Sequence, residues 1–346
     1  IEAKGDEPAL LHLCEHWNWP LRLFGGPALN DVAVPTPSEV VKAEMGTASV
    51  AEASALLASG DGAQLLQSKR IFHAEGGEQG AVTVAIAETA HPLAASKGEL
   101  HLVGSGPGSL QLLTADARTA LSRCVLWVGY GLYLDLLEPL RRCDQVRLDG
   151  QLTREWDRCW QALDLARQGA RVALISSGDS GIYGMAGLAL ELWMDLPETE
   201  RPRFQVHPGL SALQLAAARA GAPLMHDFCT ISLSDRLTPW EVIERRIEAA
   251  ASGDFVVAIY NPRSRDRNWQ LTRAKEILLC ARPETTPVVM ARQLGRSDEQ
   301  VSLHSLGNLR PEDVDMLTVL VIGNSSSRVQ DGRMVTPRGY PGATLN

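Results

Sequence analysis

From residue 99 onward, apolar positions follow two alternating rhythms. Short continuous runs at 100–103, 125–128, 172–176 and 204–206 predict buried strands. Between them the spacing turns helical. After the run at 172–176, Met185, Leu188, Ala189 and Leu192 recur on one face from Ile182 on, and 154–168 predicts a long helix. Thr114 reads as an N-cap with Asp116 in the first turn. Further helices are predicted through 121, around 133–137 and through 220, with a short strand at 145–148. Strands alternating with helices predict an α/β unit with a mostly parallel sheet. Around 221–227 the pattern resets. Strands at 229–233, 255–260, 288–291 and 317–322, with helices up to 251 and 280, predict a second lobe. Its first helix is introduced by Thr238-Pro239-Trp240-Glu241, read as N-cap, Pro at N1 and Glu at N3.

The first 90 residues read as a separate small α/β unit. A helix at 7–17 is followed by a Pro-rich break at 34–38. Ser49-Val50-Ala51-Glu52 then has the form of a capping box, and the helix it opens stops at 59–62. Strands are predicted at 63–66 and 81–87. The segment 91–98, HPLAASKG, reads as a linker, leaving 99–222 and 223–346 as the two following lobes.

Three of the strands from residue 99 onward run into glycine-containing turns. These are Gly104-Ser105-Gly106-Pro107-Gly108, Ser177-Gly178-Asp179-Ser180-Gly181 and His207-Pro208-Gly209-Leu210-Ser211. Such turns set backbone N–H groups, and here the Asp179 carboxylate, at the carboxyl edge of a sheet, where open α/β sheets hold ligands. The first turn resembles G-x-G-x-x-G but departs from it. Its third glycine comes one position early and Pro107 has no N–H, which argues against a dinucleotide. His207 reads either as an acid/base group or as a structural histidine beside Pro-Gly. Arg263, Arg265, Arg267 and Arg273 place four arginines within eleven residues: a solvated loop, or forks for carboxylates.

Composition narrows the classes. A formal net charge of -8 over 346 residues argues against a general nucleic-acid binder, and no apolar run approaches the ~18 residues of a membrane span. The opening IEAKGDEPALL lacks the basic head and apolar stretch of a signal peptide, so a cytoplasmic location is expected. It also begins within a pattern and reads as truncated. Six scattered cysteines without a C-x-x-C pair fit reduced thiols, and no metal or iron–sulfur cluster is expected.

Together, VGSGPG, VGY, SGDSGIYGM, PGLSA, YNPRSRDR and the closing IGN resemble the tetrapyrrole methylase family across almost all of 99–346. GDSGIYGMA, LSDRLTPW, YNPRSRDR and TPRGY most resemble the branch that methylates carbon 17 of precorrin-3B and contracts the macrocycle in cobalamin synthesis. KGDEPALL, PSEVV, GTASVAEASALLASG and AVTVAIA resemble the CbiG carboxyl-terminal (CobE) family, without the Gly-Cys segment expected near its start. The resemblance implies a two-lobed fold (class III) with S-adenosylmethionine in the cleft, a precorrin substrate and a homodimer. It implies donor contacts from Pro107, Ser177, Gly178, Asp179, Ile182, Tyr183, Ser211 and Ala212 in the first lobe. Leu233, Asn261 and Thr318 follow in the second. Arg263, Arg265 and Arg267 are expected to hold substrate carboxylates, and Asp235, Tyr183, His207 and His226 are the acid/base candidates for contraction. Two alternatives stand beside this reading: a methylase of the same fold acting on another precorrin or on uroporphyrinogen III, and a tetrapyrrole carrier without turnover. For residues 1–90 a binding or scaffolding role is preferred.

Overall fold

The computed structural model describes residues 1–346 except 18, 20, 75–79, 91–97, 152, 265–266 and 344–346. All but the last position of the expected linker at 91–98 therefore lies outside the described residues. Before it, helices α1 (Pro8–Trp17), α2 (Gly26–Asn30), α3 (Glu39–Met45) and α4 (Ala51–Ser59) precede an antiparallel ribbon of β1 (Gln64–His73) and β2 (Ala81–Glu88). β1 outruns its sequence prediction because Gln67, Ser68, Lys69 and Arg70 hide the apolar run; pairing with β2 carries the strand through them, with register shifts at Leu65/Gln67 and Gln67/Arg70.

The capping box expected at Ser49–Glu52 does not form. Val50 is the N-cap of α4, without a side-chain cap, and Ser49 Oγ is buried with no partner. Glu52 is turned inward and fully buried. It accepts from the Thr36 amide (3.2 Å), the Thr36 hydroxyl (2.8 Å) and the Lys69 amide (2.9 Å), while Lys69 Nζ donates to the Thr36 carbonyl (2.9 Å). A buried carboxylate is tolerable only with such a donor set. Burial alone would raise its pKa, but these bonds and the Lys69 charge hold it below the usual carboxylate range. The residue thus ties the Pro-rich segment to β1.

The first lobe is built on β3 (Glu99–Gly104), β4 (Leu126–Tyr130), β5 (Val146–Gly150), β6 (Arg171–Ser176) and β7 (Arg203–His207), in the order β5-β4-β6-β3-β7 and parallel throughout. The connections are α5 (Ala115–Arg123), α6 (Gly131–Leu137), α7 (Glu155–Arg167) and α8 (Ala186–Met194). Thr114 caps α5 as expected, accepting from the Ala117 amide at 3.1 Å. The crossover from β3 leads to one side of the sheet and that from β6 to the other. The turns after these two adjacent strands therefore flank the position where such sheets open a crevice. Apolar clusters cover both faces, one around Leu100, Leu102 and Leu174 and the other around Val103, Trp127 and Ile175. α8 starts at Ala186, later than the apolar spacing predicts, because Tyr183 takes a left-handed conformation (φ 54°) and residues 182–185 stay a turn.

α9 (Ala212–Ala220) leads to a short strand, β8 (Gly221–Ala222), and then to the second lobe. Its strands β9 (Phe228–Ser232), β10 (Val256–Tyr260), β11 (Pro287–Arg292), β12 (Gln300–Ser305) and β13 (Thr318–Ile322) form a sheet ordered β12-β11-β13-β10-β9. Helices α10 (Trp240–Ser252) and α11 (Gln270–Ala281) connect β9 to β10 and β10 to β11. The mostly parallel sheet expected for the first lobe is not repeated here: only β9 and β10 are parallel in this sheet. β12, absent from the sequence reading, returns directly from β11 through a short turn, which permits only an antiparallel pair. α10 also begins one residue later than expected, with Pro239 as N-cap and no side-chain cap from Thr238. β14 (Arg328–Gln330) and β15 (Arg333–Val335) bring the tail back onto β8, so the end of the chain is fastened beside the start of the second lobe. Among the described residues, no helix is long and apolar enough to cross a membrane.

Candidate functional site

The three glycine turns meet in space. The turns after β3 and β6 exchange backbone hydrogen bonds, Gly106 N–H to Gly178 O at 3.0 Å and Gly178 N–H to Gly106 O at 2.8 Å. The third turn packs against both. A Cβ at Gly209 would lie 2.1 Å from Gly178 O and 2.6 Å from Gly104 O, so no larger residue fits without moving backbone. Asp179 closes the arrangement. Its Oδ1 accepts from the Gly181 amide (2.8 Å) and its Oδ2 from the Gly209 amide (3.0 Å), so one carboxylate joins the second turn to the third. Ser211 begins α9 with a full capping box, in which its amide donates to Gln214 Oε1 at 2.8 Å.

The second lobe reaches this junction through Tyr260, at the end of β10. The Tyr260 hydroxyl is hydrogen-bonded to Ser211 Oγ and accepts from the Leu213 amide at 3.0 Å. Burial pushes the Tyr260 phenol above its ordinary value, which keeps it neutral. Tyr183 packs against Tyr260, with ring centroids 5.2 Å apart, and its hydroxyl lies 3.3 Å from Thr230 Oγ1. Gly108 and Gly295 form a second meeting point: a Cβ on Gly108 would come within 3.0 Å of Gly295 O.

Between these contacts lies an open cleft with about 870 Å³ of empty space. The first lobe contributes Pro107, Ser177, Gly178, Asp179, Ile182 and Tyr183, with Ser211 and Ala212 from the third turn. Asn261 and Thr318 face them from the second lobe. These are ten of the eleven donor-site residues that the resemblance implied. The eleventh, Leu233, does not line the cleft. Its side chain is fully buried in the core with Ile231 and Ile243, and only its amide is directed toward this region, donating to the Tyr260 carbonyl at 3.0 Å. Strand alternation is the reason. Ile231 and Leu233 share the core side, whereas Thr230 and Ser232 bond to cleft residues, Tyr183 and Asn261.

The acid/base candidates separate. Tyr183 lines the cleft; Asp235, His207 and His226 do not. Asp235 accepts from Gln270 Nε2 at 2.8 Å, His226 is bonded at Nδ1 by the Asp227 amide at 2.9 Å, and His207 is buried behind the third turn. Of the arginines expected to hold substrate carboxylates, neither described one lines this cleft. Arg267 is buried, donating to the Asn261 carbonyl (3.0 Å) and lying 3.4 Å from Ser234 Oγ, so it braces the loop. Arg263 donates to the Pro311 carbonyl at 3.1 Å and does not line the cleft, and Arg265 lies outside the described residues. Among the described residues, the cation that does line the cleft is Arg296.

Arg296 belongs to a segment the sequence reading missed, Gln293 to Arg296, which lines the wall with Met316, Leu317 and Val319. Its signal was present: a strand running into a glycine, as in the three turns already noted. Gln293 (φ 51°) is left-handed, as are Tyr183 and Asn261 (φ 48°). Six non-glycine residues have positive φ among those described, and three of them line this cleft. Such conformations gather where surrounding structure holds a site in shape. The residues suit a zwitterionic nucleoside: apolar walls at Ile182, Leu294, Leu317 and Val319, polar groups at Ser177, Asp179 and Asn261, and one cation. Among the described residues, no cluster of three or more His, Cys, Asp or Glu is arranged to hold a metal ion.

Comparison with known proteins agrees with this geometry. Residues 1–87 match the family model described as cobalamin synthesis G C-terminus, and residues 99–310 match that of tetrapyrrole (corrin/porphyrin) methylases. A probable cobalt-factor III C(17)-methyltransferase of Salmonella typhimurium is 47% identical over 245 residues, covering 70% of this chain and 99% of that protein. A precorrin-3B C(17)-methyltransferase of Sinorhizobium sp is 41% identical over 253 residues, covering 71% and 99%. The crystal structure of the methyltransferase CobJ aligns over 69% of this chain and all of that one, with a TM-score of 0.66 and 38% identity. With its glycine junction, its two-lobed cleft and these relatives, the chain belongs to the tetrapyrrole (corrin/porphyrin) methylases and is an S-adenosylmethionine-dependent C-methyltransferase.

Proposed function

We propose that this chain methylates carbon 17 of a precorrin-3B-type tetrapyrrole, with ring contraction, in cobalamin biosynthesis. The observation that carries the reading is the convergence of the glycine junction, Tyr183, Asn261 and Thr318 on one cleft, which suits S-adenosylmethionine as donor. Pro107, Ser177, Gly178, Asp179, Ile182, Tyr183, Ser211, Ala212, Asn261 and Thr318 hold the donor. The relatives' names divide between precorrin-3B and cobalt-factor III, so the substrate is a tetrapyrrole of this kind, with or without cobalt.

The chemistry asks little acid/base help of the protein in its first step. An electron-rich ring carbon attacks the sulfonium methyl group; the new C–C bond forms as the C–S bond breaks, and the electron pair leaves on sulfur. Positioning can supply roughly 7–11 kcal/mol of such a barrier. A rigid backbone junction suits that task. Contraction moves protons, and of the four candidates named from sequence Tyr183 is the one within the cleft, so its phenol is assigned that role. Arg296 supplies positive charge for a carboxylate. The reading for residues 1–90 is a binding or scaffolding domain of the same pathway, and for the whole chain a homodimer.

The test is incubation of the purified chain with S-adenosylmethionine and either precorrin-3B or cobalt-factor III, followed by mass and absorption spectra. Gain of one methyl with the spectrum of a contracted ring is expected from one of the two. Methyl gain only on a different tetrapyrrole would refute the substrate assignment, and a methylated, contracted product from Tyr183→Phe at the wild-type rate would refute the role given to Tyr183.

A further inference from the structure

Behind the third turn, four ionisable side chains form a continuous chain. Glu99 and His101 lie on β3, His207 ends β7, and Asp116 stands in the first turn of α5. Glu99 Oε2 is 3.0 Å from His101 Nε2; His101 Nδ1 is 2.9 Å from His207 Nε2; His207 Nδ1 is 2.8 Å from Asp116 Oδ2. Both rings are buried, and they stack with centroids 5.1 Å apart.

The proton count follows from the contacts. Each needs one hydrogen between its heavy atoms, and ionised carboxylates at both ends only accept. The two rings must therefore carry three N–H groups: one ring is neutral and the other an imidazolium. Two neutral rings leave one contact without a hydrogen. Two imidazolium rings set N–H against N–H in the middle. The surrounding charges allow at most one positive charge on the pair. Arg171 (3.7 Å) and Arg203 (3.9 Å) face Glu99 from β6 and β7, Arg123 lies at the end of α5, and the neighbouring Cys124 thiol is pushed by burial to about 12 and stays neutral. Burial disfavours charge on His101 despite its bond to Glu99, while on the other side of the pair Asp116 is half-exposed.

We propose that His101 and His207 share one imidazolium charge that pins the Pro208–Ser211 turn, making them pH-sensitive positioning residues for the donor site. The connection is short. The Pro208 carbonyl accepts from Thr114 Oγ1 at 3.0 Å, two residues from Asp116, and the Gly209 amide reaches Asp179. Loss of the shared proton leaves the His101–His207 contact without a hydrogen and removes the charge from the His207–Asp116 bond, which loosens the strand end that feeds this turn. The inference rests on the donor-site reading for its binding consequence and on geometry alone for the proton count.

The experiment is calorimetric titration with S-adenosylhomocysteine between about pH 5 and pH 8, the range in which histidine titrates. It uses the wild-type chain and Asp116→Asn. In the variant the amide NH2 can donate to His207 Nδ1, so two neutral rings satisfy all three contacts. In the wild-type chain Kd should rise by up to about tenfold per pH unit above the pair's apparent pKa, as for one linked proton. In the variant Kd should lose that step and stay near the wild-type low-pH value. A flat wild-type profile, or an unchanged step in the variant, overturns the proposal. Ring-nitrogen NMR decides the count independently: three ring N–H groups on the pair at low pH and two at high pH are expected, and any other count overturns it. Failure of the wild-type chain to bind S-adenosylhomocysteine at every pH would instead overturn the donor-site reading.

Discussion

Replacing Asp179 with asparagine isolates the bond that joins the second and third turns. The change keeps shape and volume, so no cavity forms. It leaves one oxygen for two backbone donors: either Gly181 N–H or Gly209 N–H must face an amide NH2 instead of a carboxylate oxygen. A hydrogen bond to a charged acceptor contributes about 1.5–3 kcal/mol, and an unmatched donor in a half-buried site loses much of that. If the full loss falls on binding, because donor binding must then reorder the turn, Kd for S-adenosylhomocysteine rises by about 10- to 100-fold at about 1.4 kcal/mol per tenfold. If it falls on the free protein, melting drops by about 2–4 °C per kcal/mol for a domain of this size. Calorimetry and a thermal melt on the same preparation measure both shares. Unchanged Kd together with unchanged melting would refute the view that this carboxylate holds the junction.

Three further outcomes follow from other contacts. Gly209→Ala should be more damaging than an ordinary loop substitution, abolishing measurable donor binding or folding of the first lobe, since its Cβ meets two backbone oxygens; soluble variant with wild-type affinity would contradict this close packing. Tyr260→Phe removes the hydroxyl that serves Ser211 and the Leu213 amide, and should raise the donor KM by about tenfold, the order expected for one buried hydrogen bond, with little change in fold by circular dichroism. Glu52→Gln should lower the melting temperature of the first 90 residues while leaving methyl transfer intact. Because the folded Glu52 pKa is depressed, its stabilisation is fully present above the unfolded carboxylate pKa and is lost as pH falls through the folded value. The wild-type acid transition should therefore be steeper than that of the glutamine variant.

The first lobe was legible because its decisive features are properties of single residue types. At Gly104 and Gly209 a Cβ would come within 2.7 Å of backbone oxygen, and Gly178 between them is left-handed (φ 66°), so glycine is called for whatever the neighbours are. Three strand–glycine–helix passages therefore announce a junction before any coordinates exist. The second lobe is set by pairing, which local patterns do not encode. β12 alternates polar and apolar residues weakly, and its antiparallel return depends on β11 finding it. The capping box at Ser49–Glu52 had the right letters, but Thr36 and Lys69 offered Glu52 more donors than the helix end could.

Side-chain direction at strand ends explains why some expected site residues do not line the cleft. Leu233 stands at a motif position expected at the donor site, but period-two alternation sends it to the core and leaves Thr230 and Ser232 for the cleft side; that parity was readable in the run at 229–233. Arg267 shows a different limit. A cluster of arginines reads as solvent-facing charge, yet this one is withdrawn to hold the Asn261 carbonyl while Asn261 adopts its left-handed turn. His207 combines both effects: a histidine in a glycine turn invites a catalytic role, but strand register carries its ring to the face where His101 and Asp116 wait. Its influence on the donor site then passes through the backbone of Pro208 and Gly209, which is why the chemistry of a lone histidine could not be read without the partner 106 residues away.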